Sequence, residues 1–174
     1  VLFHTKPFSN MRLLLAITIL TALATLSYGN NLPDRFFGKY SLDHSDNWDE
    51  YLAAKGWSWV LRKIISLLHV DIVFTKVDET SFNYEVLTLV KDLRVHNNVL
   101  GQESEMEMLD GSFSKKMVKV TFTYQNETLY LHQVPVEDDP FLVDTFTFKV
   151  DGDILKATAE AGGVLSTRYY ARVV

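Results

Sequence analysis

Cysteine is absent from the 174-residue chain. A disulfide scaffold, thiolate catalysis and a cysteine-ligated zinc site are therefore excluded. Positive charge is in short supply: 17 Lys and Arg face 22 Asp and Glu, a net charge of −5. A surface that tracks phosphates is not expected, so nucleic acid is set aside as a partner. The five histidines, His4, His44, His69, His96 and His132, have no metal-type spacing, and neither a metal site nor a cofactor is expected. No G-x-S-x-G or other nucleophile motif occurs, so no catalytic residue is assigned and the chain is not read as an enzyme. Internal repeats and low-complexity tracts are missing, and no spacer is long enough to divide the chain into several domains.

The one long apolar run, LLLAITILTALATL, follows Met11-Arg12 and precedes SYGN. It is too short and too weakly flanked to favour a spanning helix, and a membrane-tethered protein that keeps this leader is the alternative. A charged start, an apolar stretch and the small residues Ser27 and Gly29 at −3 and −1 form a secretory signal pattern. Residues 1–29 are read as an upstream stretch followed by a signal peptide from Met11 to Gly29. Residues 30–174 are read as the mature domain, which is expected to be extracellular. Secretion gives meaning to Asn126-Glu127-Thr128, an N-glycosylation acceptor pattern at an expected hairpin turn.

Aromatic residues reach 13%, which suits strands and apolar cavities. FFGKYSLDHS reads as a first strand. NWDEYLAAKG reads as a helix with Asn47 as cap, Glu50 completing a capping-box pattern and Gly56 as the stop. WSWVLRKIISLL reads as a second short helix from Trp57. From Val70 onward nine strand-like runs follow, among them VDIVFTKVD, KKMVKVTFTY, FLVDTFTFKV and VLSTRYYARV. Turn signals separate them, including Asp110-Gly111, Asp138-Asp139-Pro140 and Gly162-Gly163. Ten short strands with tight turns predict an all-β fold, an antiparallel sandwich or an up-and-down barrel. Closing the sheet would remove its edges. Ten strands enclose more room than side chains fill, so a cavity is expected, capped at one end by the two helices between strands 1 and 2.

The order Gly38-Lys39-Tyr40-Ser41-Leu42, Asn47-Trp48-Asp49-Glu50-Tyr51-Leu52, Gly56, Arg62-Lys63, Leu100-Gly101-Gln102-Glu103 and Ser166-Thr167-Arg168-Tyr169-Tyr170 resembles the fatty-acid-binding proteins, the intracellular lipid-binding branch of the calycins. With its leader the chain is most similar to the secreted nematode members. The resemblance covers essentially all of the mature chain. It implies a ten-stranded antiparallel up-and-down β-barrel with a helix-turn-helix lid, a monomer whose partner is a fatty acid or related lipid. It also implies that Arg168 and Tyr170 bind the ligand carboxylate. Where many members carry a second interior arginine, on the third-last strand, this chain has Phe148. Gln133 falls near a family cavity position, and Trp48 replaces a customary phenylalanine. Asn98 stands where an apolar residue is common.

Strand alternation independently puts Arg168 and Tyr170 on one face. A buried arginine needs an anion, and a carboxylate ligand would supply one. The alternative is an exposed arginine beside a tyrosine at the barrel rim. The second helix carries more apolar surface than one core stripe requires. Trp57, Trp59, Leu61 and Ile64 are assigned to a portal and lid. Transient membrane contact is expected there, with Lys55, Arg62 and Lys63 near anionic lipid. The alternative is that the excess packs under neighbouring loops. Two other functions stay open: a lipocalin-type binder of a different apolar ligand, and a lipid hydrolase. No nucleophile–base pair is legible for the second.

Overall fold

The computed structural model describes residues 31–110, 112, 114–137, 139 and 142–174. The expected leader, residues 1–29, lies outside the described residues, as do Gly111, Asp138 and Pro140 of the turn signals. Ten strands form one antiparallel sheet: β1 (Gly38–Asp46), β2 (Val70–Lys76), β3 (Ser81–Thr88), β4 (Leu93–Val99), β5 (Glu103–Leu109), β6 (Lys115–Gln125), β7 (Thr128–Pro135), β8 (Asp144–Asp151), β9 (Ile154–Ala161) and β10 (Val164–Val173). Each strand pairs with its sequence neighbour except at one place, and β1 pairs with β10 to close the barrel. The exception is β4 and β5, which are adjacent but not joined by a ladder. The all-β barrel expected from the sequence is therefore nearly closed, and edges persist at this seam. Lys91 reaches across it to Glu107 at 2.6 Å.

Alternation explains the strands. In β6, Val118, Val120 and Phe122 are buried while Thr123 is exposed. Inward aromatic residues fill the lower half. Phe74 lies 5.2 Å from Tyr84, and Phe122 lies 5.2 Å from Phe82, ring centre to ring centre. Asn98 is buried in β4, where its Nδ2 donates to the carbonyls of Phe82 and Val95 at 3.2 and 2.9 Å. It satisfies backbone at a bulge marked by Asn97 at φ 54°, and it does not line the cavity.

Two helices lie between β1 and β2: α1 (Trp48–Ala54) and α2 (Trp59–Ser66). Asn47 does not cap α1 through its side chain. It sits in the left-handed region at φ 54°, and its Nδ2 donates to the carbonyl of Leu165 at 3.1 Å, tying the helix start to β10. The expected capping box is thus replaced by a tertiary bond. Gly56 at φ 79° follows α1, as a helix stop requires. α2 begins two residues later than expected. Ser58 is its cap, accepting from the amide of Leu61, and Trp57 stays outside the helix.

The end of the barrel away from the helices is sealed by a 3-10 turn, Asp34–Phe36. The fully buried Phe36 ring lies 6.1 Å from Phe74 and 5.9 Å from Tyr124. Arg172 clamps this plug by donating to the carbonyls of Phe37 at 2.8 Å and Arg35 at 2.6 Å, and to the Tyr40 hydroxyl. Gly38 sits directly against the clamp. Its φ is 142°, and a Cβ there would lie 2.5 Å from Arg172 Nη1. Gly38→Ala is expected to cost about 2 kcal/mol of unfolding free energy, because it combines backbone strain with displacement of a bonded guanidinium. Urea unfolding checks this: the midpoint should fall with no change in slope. A midpoint equal to that of the natural chain would refute it.

Candidate functional site

Between the aromatic floor and the helices lies a cavity of about 260 Å³. This is just below the usual range for small-ligand sites, about 300–1,000 Å³. Its wall is mainly apolar, with Ile72, Val86, Leu131 and Phe146 from the sheet and Ile65 and Leu68 from the lid. Arg168 and Tyr170 both line it. In β10 they pair with Ala157 and Leu155 of β9, and the small alanine opposite Arg168 leaves room beside the guanidinium.

The surroundings of Arg168 are aromatic and hydroxylic. Its Nε donates to the Ser45 hydroxyl at 3.3 Å. The guanidinium carbon lies 4.4 Å from the Trp48 ring centre and 5.5 Å from that of Tyr170, within cation–π range. Among the described residues, no carboxylate lies within ion-pair distance of it. Tyr170 is 2% exposed. Burial pushes its hydroxyl pKa up, and the nearby Arg168 charge pulls the other way without cancelling the rise. Tyr84, from β3, also lines the cavity, and burial raises its pKa further. Both phenols therefore stay protonated and able to donate. The buried indole N–H of Trp48 has no acceptor among the described residues. This part of the wall is rich in donors and short of acceptors.

Gln133 and Phe148 line the same cavity. Gln133 is buried, and its Nε2 donates to the Leu142 carbonyl at 2.9 Å. Phe148 meets Phe74 edge-on at 5.9 Å between ring centres. It closes the floor where a cation could have stood. The four lid residues separate. Trp57 lines the cavity, Leu61 is half-buried, and Trp59 and Ile64 face outward, Trp59 at 64% exposure. Leu67, just past α2, is 85% exposed, and Leu89 in the turn after β3 is exposed as well. Asn126 is exposed in the β6–β7 turn, where it and Glu127 have φ of 49° and 61°.

The cationic face expected on the lid is largely otherwise engaged. Arg62 is held by the backbone carbonyl and carboxylate of Asp49, and Lys63 sits 3.5 Å from the same carboxylate. Lys55 is not on the outside at all. It is 8% exposed and lines the cavity, 3.0 Å from Asp144. Tyr51 donates to the other oxygen of Asp144 at 2.7 Å. Sequence reasoning missed this group, although a signal was present. Trp48, Tyr51, Leu52 and Lys55 share the i, i+3, i+4, i+7 stripe that α1 turns to the barrel. Asp144 shares the parity of Phe146 and Phe148 on β8.

Fold and cavity together define a class: a small lidded β-barrel that encloses a compact apolar space with a cationic wall. No protein-family model matches the chain. Fatty acid-binding protein homolog 2 of Caenorhabditis elegans is 35% identical over 151 residues, covering 86% of this chain and 91% of that protein. The fatty acid-binding protein homolog of Ascaris suum is 31% identical over 166 residues, covering 93% and 99%. Among solved structures, As-p18, an extracellular fatty acid binding protein, superposes with a TM-score of 0.73 at 32% identity, covering 82% of this chain and 99% of that one. A Schistosoma mansoni fatty acid binding protein in complex with arachidonic acid gives 0.67 at 26% identity, covering 84% and 100%. The chain belongs to the fatty-acid-binding protein family.

Proposed function

We propose that this protein is a secreted, non-enzymatic carrier of long-chain fatty acids, with the ligand carboxylate held by Arg168 and Tyr170. The observation that carries the reading is a guanidinium in an apolar cavity wall with no carboxylate partner among the described residues. A bound carboxylate supplies the missing anion through a charge-assisted bond, and the Tyr170 hydroxyl adds a second donor. With Phe148 where a second cation could stand, one cation carries the head group. The tail dominates affinity. Burying about 16 carbons at roughly 0.8 kcal/mol each gains on the order of 12 kcal/mol gross. Micromolar binding needs about 8 kcal/mol, and ordering costs absorb the difference. The head group then mainly sets orientation. A hydrolase reading draws no support from the relatives, whose names describe fatty-acid binding. Family membership takes the place of the lipocalin alternative.

Arg168→Ala is expected to weaken fatty-acid binding by roughly 10- to 100-fold, the worth of a charge-assisted hydrogen bond. An uncharged apolar fluorophore should lose much less. Titration of both ligands into folded variant checks this, and an equal loss for the two would sink the carboxylate assignment.

Secretion rests on the leader pattern at Met11 to Gly29 and on the extracellular relative, and glycosylation at Asn126 rests on secretion. Expressed with its leader in a secreting eukaryotic cell, the protein should reach the medium beginning at Asn30 and lose mass on glycosidase treatment. Retention of the leader inside the cell would overturn the first, and an unchanged mass the second.

Docking of the lid on membranes rests on outward Trp59, Ile64 and Leu67. Ligand transfer should accelerate as acceptor vesicles are added. A rate indifferent to vesicle concentration would rule the contact out.

A further inference from the structure

The cavity has a second polar station, at its lid end. Lys55 closes α1, and its Nζ donates to the Val143 carbonyl at 2.8 Å and pairs with Asp144 Oδ2 at 3.0 Å. Asp144 Oδ1 accepts from the Tyr51 hydroxyl at 2.7 Å. The two charged side chains are 9% and 10% exposed. Gln133, directly opposite Asp144 in the β7–β8 register, brings an amide to the same part of the wall. All four residues line the cavity.

Two considerations separate this group from a simple brace. An apolar pair of similar size would generally hold the lid at least as well as a buried ion pair, so stability alone gives weak grounds for the charges. The hydrogen-bonding capacity is also incomplete. An ammonium has three protons, of which the two bonds named here use two, and a carboxylate can accept more than the two bonds it receives. We infer that Lys55 and Asp144 bind a hydroxyl or keto oxygen on the lipid chain, so that the cavity selects oxygenated over plain fatty acids. The pair is neutral in sum, which suits a neutral group. A hydroxyl accepts from Lys55 and donates to Asp144, whereas a second carboxylate would meet the Asp144 charge. The station is remote from the head-group site. Arg168 lies over Trp48, at the start of α1, and Lys55 follows its end, about 10 Å along the axis. The oxygen belongs in mid-chain, several carbons from the acid.

This inference rests on the carboxylate reading of Arg168, and the test keeps the two apart. Octadecanoic acid and its mono-hydroxy and mono-keto derivatives, substituted at successive mid-chain carbons, are titrated into the purified protein. One or two adjacent isomers should bind about tenfold more tightly than the parent acid. In Lys55→Met/Asp144→Leu that ratio should fall to about 1. No favoured isomer, a preference that survives the double substitution, or a dicarboxylic acid that outcompetes the hydroxy acids would each overturn the inference. If the double variant does not fold, Asp144→Asn is measured instead. It should reduce the ratio at least threefold, and an unchanged ratio refutes the station. The head-group reading is judged separately by Arg168→Ala, which should weaken parent and derivative alike and leave their ratio intact.

Discussion

One positive charge, the guanidinium of Arg168, stands in the wall of an otherwise mainly apolar cavity. Placing that charge in a wall of Ile, Val, Leu and Phe costs desolvation. The protein offsets part of the cost with the indole of Trp48, the ring of Tyr170 and the Ser45 hydroxyl. It does not add a carboxylate of its own among the described residues. In the proposed reading, the remaining imbalance is what an anionic guest would satisfy. The sealed base and the lid serve this imbalance, because a cation exposed to bulk water would be screened and would discriminate little.

The other cations are handled differently, which sharpens the contrast. Arg172 is consumed by backbone carbonyls at the base. Arg62 is consumed by Asp49 and holds α2 to α1. Lys55 faces the same cavity as Arg168 but arrives with its own carboxylate. At the seam, the Lys91 and Lys115 ammonium groups hold the Glu107 carboxyl below its ordinary pKa; Lys91 reaches across the unpaired edge, whereas Lys115 comes from β6, the ladder partner of β5. One barrel thus contains both a cation with no carboxylate beside it among the described residues and several cations whose partners are in place.

The strands were legible because each buries alternate residues, and alternation is a property of sequence. Ten runs and their turns therefore translate directly into ten strands. What failed to read was set by tertiary geometry. Asn47 looks like a helix cap, but its amide is drawn to Leu165, which is remote in sequence and adjacent only after β10 closes on β1. The unpaired seam between β4 and β5 leaves no mark, since both runs look competent to pair. Arg168 and Tyr170 were legible through parity and through the resemblance, and both line the cavity. Lys55 was misjudged because a lysine beside Arg62 and Lys63 suggests a solvated basic face. Its stripe on α1 carried the better information.

The first and last strands of this domain are partners, and the proposed anchor for the acid lies on the last. Ser45, Trp48 and Asn47, near the amino end, meet Arg168 and Leu165, near the carboxyl end. A growing polypeptide short of β10 has neither a finished ring nor the proposed attachment point for its guest. On the proposed reading, cargo is loaded only once β10 has been made, and loss of that strand removes closure and anchor in a single step.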